Sequence, residues 1–364
     1  MHKILIISGT PIISGAEYVL GDFLENTEYK KQIQILHSDI KKVNEFYDNF
    51  DVDRIYKSKY LKPVGAANNR FNIIRKLYNL LASCFIFYKI FKDKDIKIVL
   101  GNNTGDVIYS FYSNLFRKKH INYIHDMIEK DSFIAKSILF FDKYIDKYIA
   151  VSNAVKKSLI EIGINKNKID VIYNGLKYNE NYNVKTIENK IVFGFVGNIE
   201  DRKNPLEFIE FIAKAKKILP FEVEGKMVFG NILDNSLFNK IQNIINKNNL
   251  NIKLLGKLDR NYMKSFYSNI HYLVVSSKKD SLPTVILEAF NNGVPVIAHN
   301  IDGIPEMVKD GYNGFLYDFP YDFEKILKNL LNQDYNQLQK NANLTIKEKF
   351  NNLDKINKLE KEIF

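Results

Sequence analysis

Two carboxylates, Asp280 and Glu288, stand eight residues apart with Ser281-Leu282-Pro283-Thr284 between them. A carboxylate accepts from several donors at once and suits vicinal hydroxyls. Ser281 and Pro283, placed before an apolar run, read as a helix start. The unpaired N–H groups of a helix start favour an anion. The two acids could therefore bracket a polyhydroxylated ligand with a phosphate between them. Glu288 falls about one turn into that helix, Gly293 ends it and Pro295 opens the next strand. The same residues are also ordinary punctuation of an α/β chain.

Other positions carry chemistry more ambiguously. Gly15 follows the first apolar run, where a glycine lets a ligand phosphate or an acceptor approach the backbone; a tight turn would ask for glycine equally. His125 ends an apolar run and precedes Asp126. That is the mouth of a parallel sheet, where functional residues collect. It reads either as a ligand-facing imidazole or as a loop histidine satisfied by Asp126. His2, His37, His120, His271 and His299 have no such placement. Cys84 lies in an apolar run and is expected in the core, not as a nucleophile. One cysteine and six scattered histidines give no metal-site spacing and no intrachain disulfide.

The elements that position these residues alternate in type. Strands are expected at 3–7, 33–37, 96–101, 121–125, 147–152 and 169–173, and again at 191–197, 226–230, 252–256, 271–276, 294–298 and 314–317. Helices are expected at 16–25, 106–116, 133–143 and 154–162, then at 205–219, 237–248, 260–267, 284–292 and 321–332. Such alternation means parallel sheets covered on both faces. Residues 176–189 are polar and aperiodic and read as a linker. The expectation is α/β: two Rossmann-like, doubly wound domains facing a cleft. The first spans 1–180 and the second 181–345. A C-terminal helix over 346–364 would pack back towards the first.

The second half resembles the retaining, family 4 type glycosyltransferases of GT-B fold (glycosyl transferases group 1). The resemblance lies in Asp280, Glu288-Ala289, Gly293-Val294-Pro295-Val296, Gly303-Ile304-Pro305-Glu306 and Asn313-Gly314-Phe315. Ser14-Gly15-Ala16-Glu17 is similar to the family's glycine loop. Ala150-Val151-Ser152 and Val171-Ile172-Tyr173-Asn174-Gly175 are similar to its markers before the interdomain linker. Residues 197–204 (GNIEDRKN) are similar to its diphosphate loop. The resemblance is dense over 191–317 and sparse before.

It implies an acceptor-binding domain over 1–180, a nucleotide-sugar-binding domain over 181–345, and a role for each residue. Glu288 would hold the ribose hydroxyls of a nucleotide sugar. Asp280 would contact the transferred sugar. Ser281, Leu282, Pro283 and Thr284 would offer backbone N–H groups to the diphosphate, and Lys203 would neutralise it. Asn198 stands where the family usually has Arg, with Arg202 as a substitute charge. Asp280 stands where Glu is commoner. His125 would bond the donor sugar or the attacking hydroxyl. A diphosphate leaving group needs cations or dipoles, not necessarily a metal, so a metal-independent enzyme without cofactor is expected, its substrate a nucleoside-diphosphate sugar. Asp51-Val52-Asp53 and Asp93-Lys94-Asp95 resemble the acid pairs of metal-dependent glycosyltransferases of another fold, but such short matches are frequent by chance and are expected to be solvated loop charges.

Composition sets the outer limits. With 46% apolar and 26% charged residues, the chain is neither disordered nor fibrous. No run is long enough to span a bilayer, and the first residues lack a signal peptide's pattern. With a single cysteine, a reducing, cytoplasmic compartment is expected, with peripheral attachment to the inner membrane face as an option. The net charge of +11 is uneven: residues 1–180 hold 28 Lys/Arg against 20 Asp/Glu. Either AT-rich coding composition or a polyanionic partner explains that. No nucleic-acid motif is present; the resemblance implies a glycan or lipid-linked acceptor, and the basic charge fits it and an anionic membrane surface. Residues 70–92 form a long helix candidate. An apolar circumference argues for burial on the first sheet; Phe85 or Phe87 entering the head-group boundary would instead make a membrane-surface helix. The expected role is cell-surface polysaccharide synthesis. A sugar-nucleotide epimerase, a phosphorylase and a non-catalytic subunit on the same fold are the alternatives.

Overall fold

Short apolar runs become buried parallel strands. In the computed structural model, residues 2–61, 70–318 and 320–364 are described, 70–77 and 260 by backbone alone. The chain divides into two units, Met1–Asn174 with Leu353–Phe364, and Gly175–Asn352.

The first unit has seven strands: β1 (Lys3–Ser8), β2 (Ile33–Ser38), β3 (Arg54–Ser58), β4 (Ile96–Gly101), β5 (Lys119–Ile124), β6 (Lys147–Ala150) and β7 (Ile169–Val171). They pair in parallel in the order β3-β2-β1-β4-β5-β6-β7. Its helices are α1 (Gly15–Asn26), α2 (Lys41–Tyr47), α3 (Arg70–Phe91), α4 (Ser110–Leu115), α5 (Phe133–Phe141) and α6 (Asn153–Glu161). The steps β3 to β4, β4 to β5 and β5 to β6 all run the same way along the sheet. Right-handed crossovers therefore put α3, α4 and α5 on one face and α1 and α2 on the other. Side-chain caps start several helices: Ser132 and Ser152 accept from the N–H groups of Ala135 and Val155.

The second unit has six parallel strands in the order β10-β9-β8-β11-β12-β13. They are β8 (Lys190–Val196), β9 (Glu222–Val228), β10 (Ile252–Gly256), β11 (Tyr272–Val275), β12 (Val296–His299) and β13 (Gly314–Tyr317). Its helices are α7 (Pro205–Ile218), α8 (Asn235–Lys247), α9 (Arg260–Ser268), α10 (Thr284–Asn291), α11 (Phe323–Asn332) and α12 (Tyr335–Lys349). The core is aromatic: Phe193 meets Phe211 edge-on at 5.0 Å, and Phe211 meets Phe323 at 5.1 Å. A last helix, α13 (Asn352–Ile363), returns the chain to the first unit. There the buried Lys355 ammonium donates to the Val19 carbonyl at 2.8 Å and Glu362 pairs with Lys147 at 2.6 Å.

Four sequence expectations are corrected. The stretch 176–189 is no loose linker: Lys185 is buried, its ammonium donating to the Tyr267 carbonyl at 3.0 Å, and Tyr182 packs against Gly293. Cys84 is exposed, not in the core. Helix α3 is buried on one side only, with Phe87 inside and Phe85 outside. The Asp-x-Asp acids are not all solvated. Asp53 and Asp93 converge on Lys3 at 3.0 and 3.4 Å and share Gln34, at the amino ends of the strands.

Candidate functional site

In an open parallel sheet, the crevice for a ligand opens beyond the carboxyl ends of the two strands where the order reverses. In the second unit those strands are β8 and β11. The loop after β8 carries Asn198, Arg202 and Lys203. The segment after β11 carries Asp280 and leads into α10.

These two segments are tied to each other. Ser276 donates to the carbonyls of Lys203 and Asn204 at 3.2 and 2.9 Å, and the Lys278 N–H to that of Arg202 at 2.8 Å. Asn204 turns the chain into α7 with φ of +49°, the left-handed region, followed by Pro205 in the first turn. Such backbone costs about 1–3 kcal/mol and persists only where its surroundings fix it. Here the fixing groups are Ser276 and Glu207, which accepts from Asn204 at 2.7 Å and from Tyr317 at 2.7 Å. A Cβ on Gly197 would crowd the Lys203 stem at 3.3 Å.

The geometry brings Lys203, Arg202 and Asp280 together. The Lys203 ammonium pairs with Asp280 Oδ2 at 2.5 Å, both side chains largely shielded from solvent. Arg202 stands 3.9 Å from the same oxygen and pairs more closely with Glu200 at 3.0 Å. The Asp280 N–H donates to Asp302 Oδ2 at 2.9 Å. Burial raises the Asp302 carboxyl above the ordinary range. Asn198 is turned to structure: its side-chain carbonyl accepts from the Asn231 N–H at 3.1 Å.

Helix α10 begins at Thr284 with Pro283 at its cap. Pro283 has no N–H, so of the four residues expected to offer backbone donors, only Ser281, Leu282 and Thr284 have one. Glu288 is half-buried, and Tyr267 donates to its Oε2 at 2.8 Å. Burial, reinforced by the Glu288 charge, holds the Tyr267 hydroxyl well above its ordinary pKa, so it remains a donor. Beneath it, burial brings the Lys185 ammonium down to about 7.

In the first unit the order reverses between β1 and β4. After β1 comes a loop ending in the α1 capping box. The Ser14 N–H and hydroxyl donate to Glu17 Oε2 at 3.0 and 2.6 Å. Glu17 is fully buried, and its other oxygen accepts from Ser8 and Asn103 at 3.3 and 3.1 Å. Asp106 accepts from the Gly9 N–H at 3.1 Å, and burial pushes its carboxyl up to about 8. Gly15 is the first residue of α1, has no positive φ, and faces open space within 4 Å. Neither a tight turn nor a close contact requires a glycine there.

His125 follows β5 and lies against the Tyr123 ring at 4.3 Å. Burial, then the nearby Lys355 charge, lowers it to about 3, so the imidazole is neutral at pH 7. Asp126 accepts from Thr104 at 3.1 Å. Among the described residues, no group of three His, Cys, Asp or Glu is placed to hold a metal ion.

Sequence reading missed Tyr267, Ser276, Asp302 and Glu17 as supports. For the first three the signal was absent, because each partner lies 21 to 73 residues away. For Glu17 the Ser14-x-x-Glu17 capping-box spacing was available.

The family model "Glycosyl transferases group 1" matches residues 178–345, and "Glycosyltransferase Family 4" matches 54–179. An uncharacterized glycosyltransferase of Methanocaldococcus jannaschii is 32% identical over 268 residues, 68% of this chain and 72% of that protein. The Escherichia coli UDP-Gal:alpha-D-GlcNAc-diphosphoundecaprenol alpha-1,3-galactosyltransferase is 27% identical over 269 residues, 69% of this chain and 66% of that one. In fold, the chain is similar to Anabaena HepE in complex with UDP and glucose, with a TM-score of 0.77 at 18% identity over 100% of this chain and 99% of that one.

Proposed function

The chain belongs to the group 1 glycosyl transferases of GT-B fold, and from that membership we propose a metal-independent, retaining transfer of a sugar from a nucleoside diphosphate to a glycan or lipid-linked acceptor. The observation that carries the reading is the Lys203–Asp280 pair at the reversal of the second sheet, with the start of α10 beside it in sequence and Glu288 held by Tyr267. Glu288 accepts from the ribose hydroxyls. The N–H groups at the α10 start and the Lys203 ammonium meet the diphosphate, and Arg202 adds charge at the rim. Asp280 orients Lys203 and accepts from hydroxyls of the transferred sugar.

As the bond from the anomeric carbon to the phosphate oxygen breaks, negative charge grows on the departing diphosphate. Lys203 and the helix start stabilise that charge without a metal. The acceptor hydroxyl attacks from the same face. Its proton passes to the leaving phosphate oxygen, so no protein nucleophile is used. We assign the acceptor to the first unit, in front of Gly15, where His125, neutral, bonds the attacking hydroxyl without carrying charge. A diphosphoundecaprenol-linked acceptor appears in the name of one relative. That supports a lipid-linked acceptor here, in cell-surface polysaccharide synthesis on the cytoplasmic side.

A panel of UDP-, GDP- and ADP-sugars, assayed in EDTA for nucleotide release, tests the reading. Release from one donor that requires an acceptor alcohol, giving a product of the donor's own anomeric configuration, is expected. Release driven by inorganic phosphate, or conversion of the donor without an acceptor, would make the chain a phosphorylase or an epimerase. Activity lost in EDTA and restored by a divalent metal would overturn the metal-free step.

A further inference from the structure

We propose that the outer face of α3, α4 and α5 docks the protein on an anionic lipid bilayer. The proposal rests on the surface itself and stands whether or not the transfer reading does. Along α3, Tyr78, Leu81, Phe85 and Tyr88 are 60, 74, 75 and 51% exposed. Spacings of three and four residues put them in one stripe. Phe87, Ile90 and Phe91 are buried on the inner side, and Phe87 stacks on Tyr112 of α4 at 4.4 Å. The stripe therefore belongs to an anchored helix.

The neighbouring helices continue it. On α4, Phe111 and Leu115 are exposed; on α5, Leu139 and Phe140 are. Ring contacts join the three: Tyr88 to Phe116, Phe111 to Tyr144, and Tyr144 to Phe141. Right-handed crossovers set these helices side by side on one sheet face. Contiguous exposed apolar area on this scale marks an interaction surface.

The charge says what covers it. None of α3, α4 and α5 contains an aspartate or glutamate. Lysines lie among the exposed rings: Lys92 over Tyr88 at 4.9 Å, Lys143 over Phe140 at 5.4 Å and, at the other end, Lys59 over Tyr60 at 5.2 Å. Aromatic and aliphatic side chains entering the head-group boundary, with lysines reaching for anionic heads, is the physics of an interfacial helix. A second copy docked on the same face would oppose lysine to lysine. No helix among the described residues is long and apolar enough to cross a membrane, so the attachment is to one surface.

The test uses the full chain and vesicles of phosphatidylcholine with or without phosphatidylglycerol. The wild type should float with the anionic vesicles at about 0.1 M salt and dissociate near 1 M, where the screening length falls from about 10 to 3 Å. A fluorophore on Cys84, the single cysteine and exposed on α3, should shift to the blue on binding. The double variant Leu81→Ser with Phe85→Ser removes only outward side chains. It should melt like the wild type and bind about tenfold or more weakly. No flotation at the lower salt, or an unshifted Cys84 probe, would overturn the proposal. So would a folded double variant that floats as well as the wild type, or self-association in the wild type that the double variant abolishes. Flotation on neutral and anionic vesicles alike would contradict the anionic part.

Discussion

Tyr267 helps to aim Glu288, its hydroxyl donating at 2.8 Å from a fully buried ring. Two substitutions separate charge from aim. Glu288→Gln keeps the shape and weakens charge-assisted bonds, at about 1.5–3 kcal/mol. Calorimetric titration with the donor should show affinity falling by that amount, and affinity within twofold of wild type would remove Glu288 from the ribose. Tyr267→Phe leaves the carboxylate in place but removes that donor. The donor KM should rise several-fold with kcat nearly kept, whereas a purely structural tyrosine would lower the melting point and leave KM alone. In the proposed transfer Lys203 meets charge that grows during the reaction, so Lys203→Ala should fall mainly on kcat, by about a hundredfold or more. A near-normal kcat would transfer that role to Arg202 or the helix start. Asp280, Glu288 and the α10 start were legible because they sit within one short segment. Tyr267 was not, since nothing local distinguishes it from the core tyrosines around it.

At the scale of elements, the strands and helices of the second sheet were readable because buried parallel strands are short apolar runs. What escaped has physical reasons. Strand β3 (RIYKS) is an edge strand, half exposed, and carries no apolar run. Helix α12 buries Gln339, Asn341, Asn343 and Thr345 beside Leu338, Ala342 and Ile346, so its core face is mixed and its apolar period faint to a hydrophobic reading. The segment 176–189 looked like a linker for the same reason, its buried anchor being a lysine. The turn from β8 into α7 is the element on which Lys203 depends, and its strain sits at Asn204. Asn204→Ala should cost about 1–2 kcal/mol, the penalty of a Cβ residue without a polar side chain in left-handed backbone. Asn204→Gly should cost less. Urea melts of both variants check this, and an alanine variant as stable as the glycine variant would show that the backbone relaxes.

For the whole molecule, the first unit carries buried titratable groups whose effects oppose each other. Burial lowers His120 to about 4 and His125 to about 3. Below pH 6.5 the unfolded chain therefore takes up protons that the folded unit refuses. Stability drops as pH falls, by about 1.4 kcal/mol per pH unit for each histidine. Asp106, raised to about 8, stays protonated in the folded unit while the unfolded chain ionises it above about pH 4. It lowers stability by about 1.4 kcal/mol per unit until pH 8. Together these groups give a maximum near pH 6.5. Hydrogen exchange of peptides from β4 and β5, followed in urea from pH 4 to 8, should show protection rising and then falling. Protection that climbs steadily to pH 8 would mean Asp106 is ionised in the folded unit.

In the proposed function the reversal of the second sheet holds a nucleoside diphosphate by Lys203, the start of α10 and Glu288. Titration of the full chain with UDP, GDP and ADP in EDTA tests it most directly. One of the three should bind saturably at one site per chain, with Glu288→Gln about tenfold to a hundredfold weaker. Binding of none, or equal binding by wild type, Glu288→Gln and Lys203→Ala, would contradict it.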